Sequence, residues 1–358
     1  MIVYIFLLSL LFFLAPDCNK KTKFVSSCMF FAVSSLIMGM RGIHVGVDTE
    51  EYYWLYYLAN NRPEHYFVNK LEPGFVFINK LFGLWFHDAS IMLLFISLFV
   101  MFSFSYFVYK YSPSVMLAWL VFISSGQFFA FHNIARQSIA VAIILFSTKY
   151  ILSRELVKFL LFVLMASAFH YSAIVFIPAY FVFNLRFNYS YILFAWIISF
   201  IFFIKKGLLL SFIDQLSSVV PSIYINLLHN EVLYSSSGGG IGVRGIFIQC
   251  SILLVIIAYK SMAKNYDQNK NNLLIVKLSL VSLVLSNVLY GFSVITRVLH
   301  YYTIFIPIAI SITIFHLFRG KSRIIMALSF AAIYTMIFFR YLSTDTHHLF
   351  PYSSFLIN

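Results

Sequence analysis

The sequence is poor in charge. Only 10% of its 358 residues are charged, against about 25% in an ordinary soluble domain. A chain of this length cannot cover a water-facing surface with so few ions, so a soluble globule is excluded. A disordered chain is excluded too, because such chains are rich in charge and poor in apolar residues. Cysteine is scarce: Cys18, Cys28 and Cys250 stand alone, in no pair spacing, so neither a disulfide framework nor a thiolate metal site is expected. Familiar catalytic signatures are missing as well. There is no His-Glu-x-x-His, no Gly-x-Ser-x-Gly and no Asp-x-Asp, and no metal or other cofactor is expected. What fills the chain instead is 61% hydrophobic and 20% aromatic residues, with a mean hydropathy of +0.89. That composition predicts an all-α polytopic membrane protein, a single integral membrane domain over residues 1–358. The net charge of +13 then reflects cytoplasmic loops rather than nucleic acid as a partner.

Apolar runs predict spans at 1–15, 24–40, 89–109, 113–131, 134–152, 157–184, 189–204, 246–259, 273–290, 298–318 and 324–342, about 11–12 crossings in all. Residues 157–184 are long for one span. Either they form two short helices broken near His170, or 207–228 supplies another crossing. Residues 75–86 read as a re-entrant or interfacial helix. Met1–Leu14 resembles a signal peptide, but it lacks a basic start, and Ala15-Pro16-Asp17 is a poor cleavage site; a retained first helix is expected. More than half of the Lys and Arg fall in one set of loops, at Lys20/Lys21/Lys23, Lys110, Lys149/Arg154/Lys158, Lys260/Lys264/Lys270/Lys277 and Arg319/Lys321/Arg323. The positive-inside bias places that set in the cytoplasm and both termini outside. Two long outer segments follow: 41–88, which carries half of the chain's carboxylates, and 205–245, with the flexible Gly/Ser tract 235–242. No internal repeat of the transporter kind is visible.

Ionisable residues are costly in such a chain and ask for a reason. Arg41, Arg136 and Arg297 fall on the outer face, which the charge bias should deplete. Arg41-Gly-Ile-His-Val-Gly46-Val-Asp48-Thr49 makes a polar turn leaving a helix. There Arg41 can grip a phosphate, and Asp48 can act as a base or orient Arg41; the plain alternative is an interfacial loop of paired ions. Glu72-Pro73-Gly74-Phe75 starts a helix, where Glu72 is either a functional carboxylate or a cap. Asn133, Arg136 and Gln137 place polar groups at the start of the 134–152 helix, with small Ala140 one turn on; the alternative is an arginine reaching for headgroups. His170, in Phe169-His170-Tyr171-Ser172, is a base or a satisfied core histidine. Arg297 precedes His300-Tyr301-Tyr302, whose rings can stack on sugars or sit in an interfacial belt.

Arg41…Gly46-Val-Asp48-Thr49…Tyr52, Glu72-Pro-Gly-Phe75, Asn133…Arg136-Gln137…Ala140, Phe169-His170-Tyr-Ser172-Ala173 and Arg297…Tyr301 occur in that order. The succession resembles the EpsG-like branch of Wzy-type O-antigen and exopolysaccharide polymerases, across about residues 1–320. Where the family often has Tyr-Phe, this chain has Tyr301-Tyr302. The resemblance implies a C-type glycosyltransferase-like fold in the bacterial inner membrane. It implies an enzyme that joins undecaprenyl-diphosphate-linked oligosaccharide repeat units on the periplasmic side, with a chain-length regulator and a flippase as partners. Together, residues and resemblance predict that Arg41, Arg136 and Arg297 bind diphosphate. His170, Asp48 or Glu72 is the base, no metal is used, and Asn133, Gln137, Tyr52 and Tyr301 contact sugar.

Three other readings share parts of this pattern. An O-antigen ligase also transfers from lipid diphosphate; its loss leaves long polymer on the carrier, whereas polymerase loss leaves single units. A lipid-linked oligosaccharide flippase would carry charge along a central cavity rather than at one face. A membrane O-acyltransferase would use histidine, but no acyl-carrier signal accompanies it.

Overall fold

The computed structural model describes the chain apart from residues 14–18, 64–70, 186–187, 206, 216–242, 291, 293–296, 346 and 357–358. The Ala15-Pro16-Asp17 junction, Glu64, the Gly/Ser tract and most of the expected 205–245 loop lie outside the described residues. The structure is 80% helical and has no strand among them. The helices are α1 (Ile2–Phe13), α2 (Lys20–Gly39), α3 (Thr49–Asn61), α4 (Pro73–Gly83), α5 (Ala89–Tyr111), α6 (Val115–Ser124), α7 (Gln127–Asn133), α8 (Ala135–Leu152) and α9 (Leu156–Ser167). A 3-10 turn at Tyr171–Phe176 follows. Then come α10 (Pro178–Asn184), α11 (Tyr189–Ile204), α12 (Gly207–Gln215), α13 (Val243–Ala263), α14 (Tyr266–Val288), α15 (His300–Thr303), α16 (Ile306–Leu317) and α17 (Gly320–Thr344).

Among the described residues seven helical stretches are long and apolar enough to cross a bilayer: α2, α5, α8, Ile246–Ala263, α14, His300–Leu317 and α17. The chain is therefore a multi-pass membrane protein. The α6–α7 pair adds an eighth if it counts as one span bent by 58°. The other expected crossings are shorter. α1 and α9 have 12 residues each, about 18 Å of helix against ~30 Å of hydrocarbon. The 113–131 run breaks at Ser125-Gly126 because Gly126 takes φ +87°, where a side chain would be strained. A Cβ there would also strike the Tyr341 ring. The 157–184 run breaks at 168–170, as one of its two readings anticipated.

Packing divides the chain into two compact units, Met1–Ile177 with Ile314–Asn358, and Pro178–Thr313. In the first, α2 lies along α5, α5 and α9 pack on α8, and α17 packs on α6. Small residues let α2 and α5 approach: Ser97 Oγ donates to Ser35 O at 3.1 Å, and a Cβ on Gly39 would meet the Leu94 backbone at 2.9 Å. A buried aromatic block joins Phe104 to Phe122 at 4.0 Å and stacks Phe30 on Trp119.

The second unit has its own polar lock. Gln249 of α13 accepts from Trp196 of α11 and donates to Asn287 of α14, which donates in turn to Ser199. Lys277 corrects a sequence expectation. It was counted among cytoplasmic loop residues, but α14 starts before it and buries it, with Nζ on the carbonyls of Phe183 (2.8 Å) and Leu185 (2.6 Å). A lysine that finds two helix-end carbonyls can stay charged inside an apolar unit.

Candidate active site

Glu72 and Pro73 begin the construction. Proline at the first helical position costs nothing, since its missing N–H would be unpaired there anyway. Gly74 N then donates to Ala168 O at 2.8 Å. A Cβ at Gly74 would sit 2.7 Å from that oxygen, so glycine is what lets the start of α4 touch the break after α9. This contact brings Glu72 beside His170. Glu72 is the N-cap residue of α4, yet its side chain makes no capping bond. Its Oε2 instead accepts from Arg136 at 2.8 Å, and its Oε1 lies 2.8 Å from His170 Nδ1. Helix starts at α4 and α8 and a helix break thus converge on one carboxylate.

The three side chains differ in exposure. Glu72 is 5% exposed, while Arg136 and His170 keep 26% and 29%. The carboxylate is the inner anchor, and the cation and the imidazole face outward from it. Burial alone would push the Glu72 carboxyl up. The hydrogen bond from His170 and the neighbouring Arg136 outweigh it and hold the group down at about 2. An ionised carboxylate only accepts, so Nδ1 of His170 carries the proton and Nε2 is the nitrogen left to take one. Phe75 floors the site: it is fully buried, with the Arg136 guanidinium 5.9 Å from its ring and Tyr52 edge-on at 5.9 Å.

Arg41 sits in the same unit and is held differently. It is 1% exposed. Its Nε donates to Thr49 Oγ1 at 3.0 Å, one terminal nitrogen to Met38 O, and the other to His132 O at 2.8 Å. Asn133 ties the same loop down: its Oδ1 accepts from Val47 N, its Nδ2 meets His347 Nδ1, and its carbonyl takes the Tyr52 hydroxyl. Gly46, at φ +101°, leaves no room for a Cβ against Asn133 and Thr49.

The expected residues therefore separate. Glu72, Arg136 and His170 come together, with Tyr52 (4% exposed) alongside. Asn133 was expected to share the start of one helix with Arg136 and Gln137. The chain turns at Ile134, at φ −98° and ψ 51°, so Asn133 ends α7 while Arg136 and the buried Gln137 begin α8. Asp48, half-buried, precedes α3 without capping it. In the second unit Arg297 is exposed and Tyr301 fully buried.

Sequence reasoning missed the C-terminal tail. Gly46 N donates to His348 O and Gly42 N to Ser353 O. Tyr352 reaches Ile37 O, and His347 bonds and stacks on Tyr341. The only available signal was a polar, histidine-bearing stretch, Asp345–His348, after a long apolar helix.

No curated protein and no solved structure matches the chain. The sequence pattern of the EpsG family matches residues 24–354, nearly the whole length, and takes in every residue of both the Glu72 and the Arg41 clusters. On that match this multi-pass membrane protein belongs to the EpsG family, a family of Wzy-like polymerases.

Proposed function

We propose that this polymerase joins undecaprenyl-diphosphate-linked oligosaccharide repeat units at the periplasmic face of the bacterial inner membrane, with His170 as the base. The observation that carries the reading is the carboxylate of Glu72 gripped at once by Arg136 and His170. It is the arrangement that fixes an imidazole tautomer and parks a guanidinium beside it.

The step is a displacement at the anomeric carbon of the growing chain. His170 Nε2 takes the proton from an acceptor-sugar hydroxyl. That oxygen bonds to the anomeric carbon, and the bond to the lipid diphosphate breaks with its electron pair leaving on the phosphate. Arg136, a quarter exposed, meets the charge that develops there. Arg297 belongs to the second unit and is exposed there; the step needs no contribution from it. Glu72 positions both His170 and Arg136 without touching the reacting atoms. Arg41 and Asn133, spent on backbone groups, hold the 41–49 turn, and Asp48, at the head of α3, belongs to that scaffold. Tyr52 and Gln137 stiffen the wall beside Arg136. Buried Tyr301 takes no part at the sugar. With Arg136 meeting the charge, the reaction runs without a divalent cation. A flippase delivers the units, and a chain-length regulator is the expected accessory.

Arg136→Ala and His170→Ala, expressed in a deletion strain, test this. Each is expected to leave folded protein in the membrane and only single repeat units on the carrier. Long chains made by either variant would overturn its assigned role. Strong loss of activity in purified protein with a chelator would end the metal-free part.

A further inference from the structure

We propose that the exposed face of α3 is a glycan-binding platform, on which sugar rings of the polysaccharide rest beside the Glu72 site. It rests on the reading above only for the identity of the glycan.

The observation is a stripe of side chains at helical spacing. Glu50, Trp54, Tyr57 and Asn61 follow one another at intervals of three or four, so they share one face, and Glu51 and Asn60 flank it. Trp54 and Tyr57 are 57% and 56% exposed, large areas for rings in a helix packed on its other side. The two rings lie parallel, 18° apart, with centroids 5.6 Å apart. Together they make a two-step flat surface with polar groups at both ends. His44 grips Glu50 at 2.6 Å, and the Asn61 amide nitrogen is held on Tyr57 O at 2.8 Å. The polar ends are thus positioned rather than trailing in solvent. Flat aromatic faces take the C–H faces of pyranose rings, while carboxylates and amides accept and donate to ring hydroxyls.

The competing occupant is the lipid headgroup layer, and charge decides against it. A face that lies on a membrane carries Lys or Arg to meet anionic headgroups. The stripe instead carries Glu50 with Glu51 beside it, both exposed, against one exposed cation, Arg62, just past its last residue. The neighbouring helix shows the other pattern: α4 and the turn after it expose Phe77, Leu84 and Trp85, and α4 has no acid in its first turn and Lys80 in its last. One helix of this segment is fitted to lipid and its neighbour to hydroxyl groups. The buried side of α3 links the platform to the site, since Tyr52 packs on Phe75 and bonds to Asn133 O.

The test uses full-length protein in nanodiscs and the parent strain's polysaccharide, released from its lipid by mild acid. The released glycan should bind wild-type protein and bind the Trp54→Ala/Tyr57→Ala variant about tenfold more weakly, the worth of two ring contacts. The same variant should still join a first pair of repeat units while making shorter chains. Unchanged binding together with unchanged chain length would overturn the platform. Brominated lipid separates the occupants. Trp85→Phe should remove a share of the quenching and Trp54→Phe none; quenching lost with Trp54 puts that ring in lipid and also ends the proposal. Binding is read without turnover, so it can succeed even if the His170 mechanism fails, and it can fail while that mechanism stands.

Discussion

Arg41 and Arg136 are arginines of the same unit, each at the end of a membrane-length helix, and they are satisfied in opposite ways. Arg41 gives its donors to two backbone carbonyls and a threonine, and almost none of it meets solvent. Arg136 is anchored by one ionised carboxylate and keeps a quarter of its side chain outside. A guanidinium consumed by neutral carbonyls is a bolt for the backbone. One balanced by a single carboxylate, with donors to spare and a face open, can still receive an anion. The first arrangement holds the backbone and the second suits the proposed chemistry, although the two residues look equivalent in the sequence.

The largest effect that separates the two regions is catalytic. His170→Ala should lower polymer formation by roughly 10²–10⁴-fold, the usual weight of a general base, and Arg136→Ala by a similar order through lost charge stabilisation. Both proteins should still fold into the membrane, each with a melting temperature lowered by the loss of one of the two groups that hold Glu72 ionised, read by thermal unfolding in detergent, while band length on gels reports activity. Normal chain length from either would erase the distinction drawn above.

Arg41→Ala should fail in the other manner. It strands the carbonyls of Met38 and His132 in a buried site, and each charge-assisted bond lost there costs about 1.5–3 kcal/mol. Folded protein recovered from membranes should fall sharply and its melting temperature should drop. Whatever folds should retain a usable His170. A stable but inactive Arg41→Ala protein would move Arg41 back among the diphosphate contacts.

Glu72→Gln sharpens the comparison further. Glutamine keeps the shape and can still accept from His170 Nδ1, but it loses the charge that balances Arg136. A fall in turnover of about tenfold is expected, roughly one lost charge-assisted bond, with the fold intact. The pH dependence follows from the depressed carboxyl, near 2 in the folded chain against an ordinary 4.5. A carboxyl lowered on folding stabilises the native state fully above its ordinary value, and that contribution fades as pH falls from about 4.5 toward 2. Glu72 therefore adds no pH dependence between pH 5 and 8, and acid unfolding of wild type should exceed that of Glu72→Gln below about 4.5. A wild-type protein that lost no more stability than Glu72→Gln between about pH 4.5 and 2 would mean the carboxylate is not held as described.

Much of this was legible from residue types alone. Scarce charge and long apolar runs announced an all-helical membrane protein, and the glycine and proline of Glu72-Pro73-Gly74 marked a helix start. The grouping of Glu72 with Arg136 and His170 needed coordinates, because it depends on Gly74 meeting Ala168 across the break after α9, a contact with no local signature. The same holds for Arg41: nothing in its neighbours tells carbonyl partners from a ligand. Hydropathy does not register where an apolar run bends, as the φ of +87° at Gly126 bends the 113–131 run, so among the described residues only seven of the expected 11–12 crossings are long unbroken helices. Lys277 was misplaced because a lysine in a mixed stretch reads as loop until its carbonyl partners are seen.

The smallest expected effect concerns the tail that lies over the Arg41 turn. His347→Ala removes the bonds to Asn133 and Tyr341, neutral and half-buried, each worth about 1 kcal/mol. The other fastenings remain: His348 O and Ser353 O still accept from Gly46 and Gly42, and Leu349 N still donates to Asp345 at 2.7 Å. Residues 347–356 should then exchange their amide hydrogens faster and lose a C-terminal epitope sooner to protease, while polymer formation falls less than about fivefold, a barrier change under about 1 kcal/mol, because the lost bonds hold the tail and not the reacting groups. That outcome fits a turn that is bolted in place and whose bolts share the load. A fall as deep as that of His170→Ala, from a residue bonded to Asn133 and Tyr341 beside the Arg41 turn, would show that the turn works in the reaction itself and that the two arginines are partners in one task.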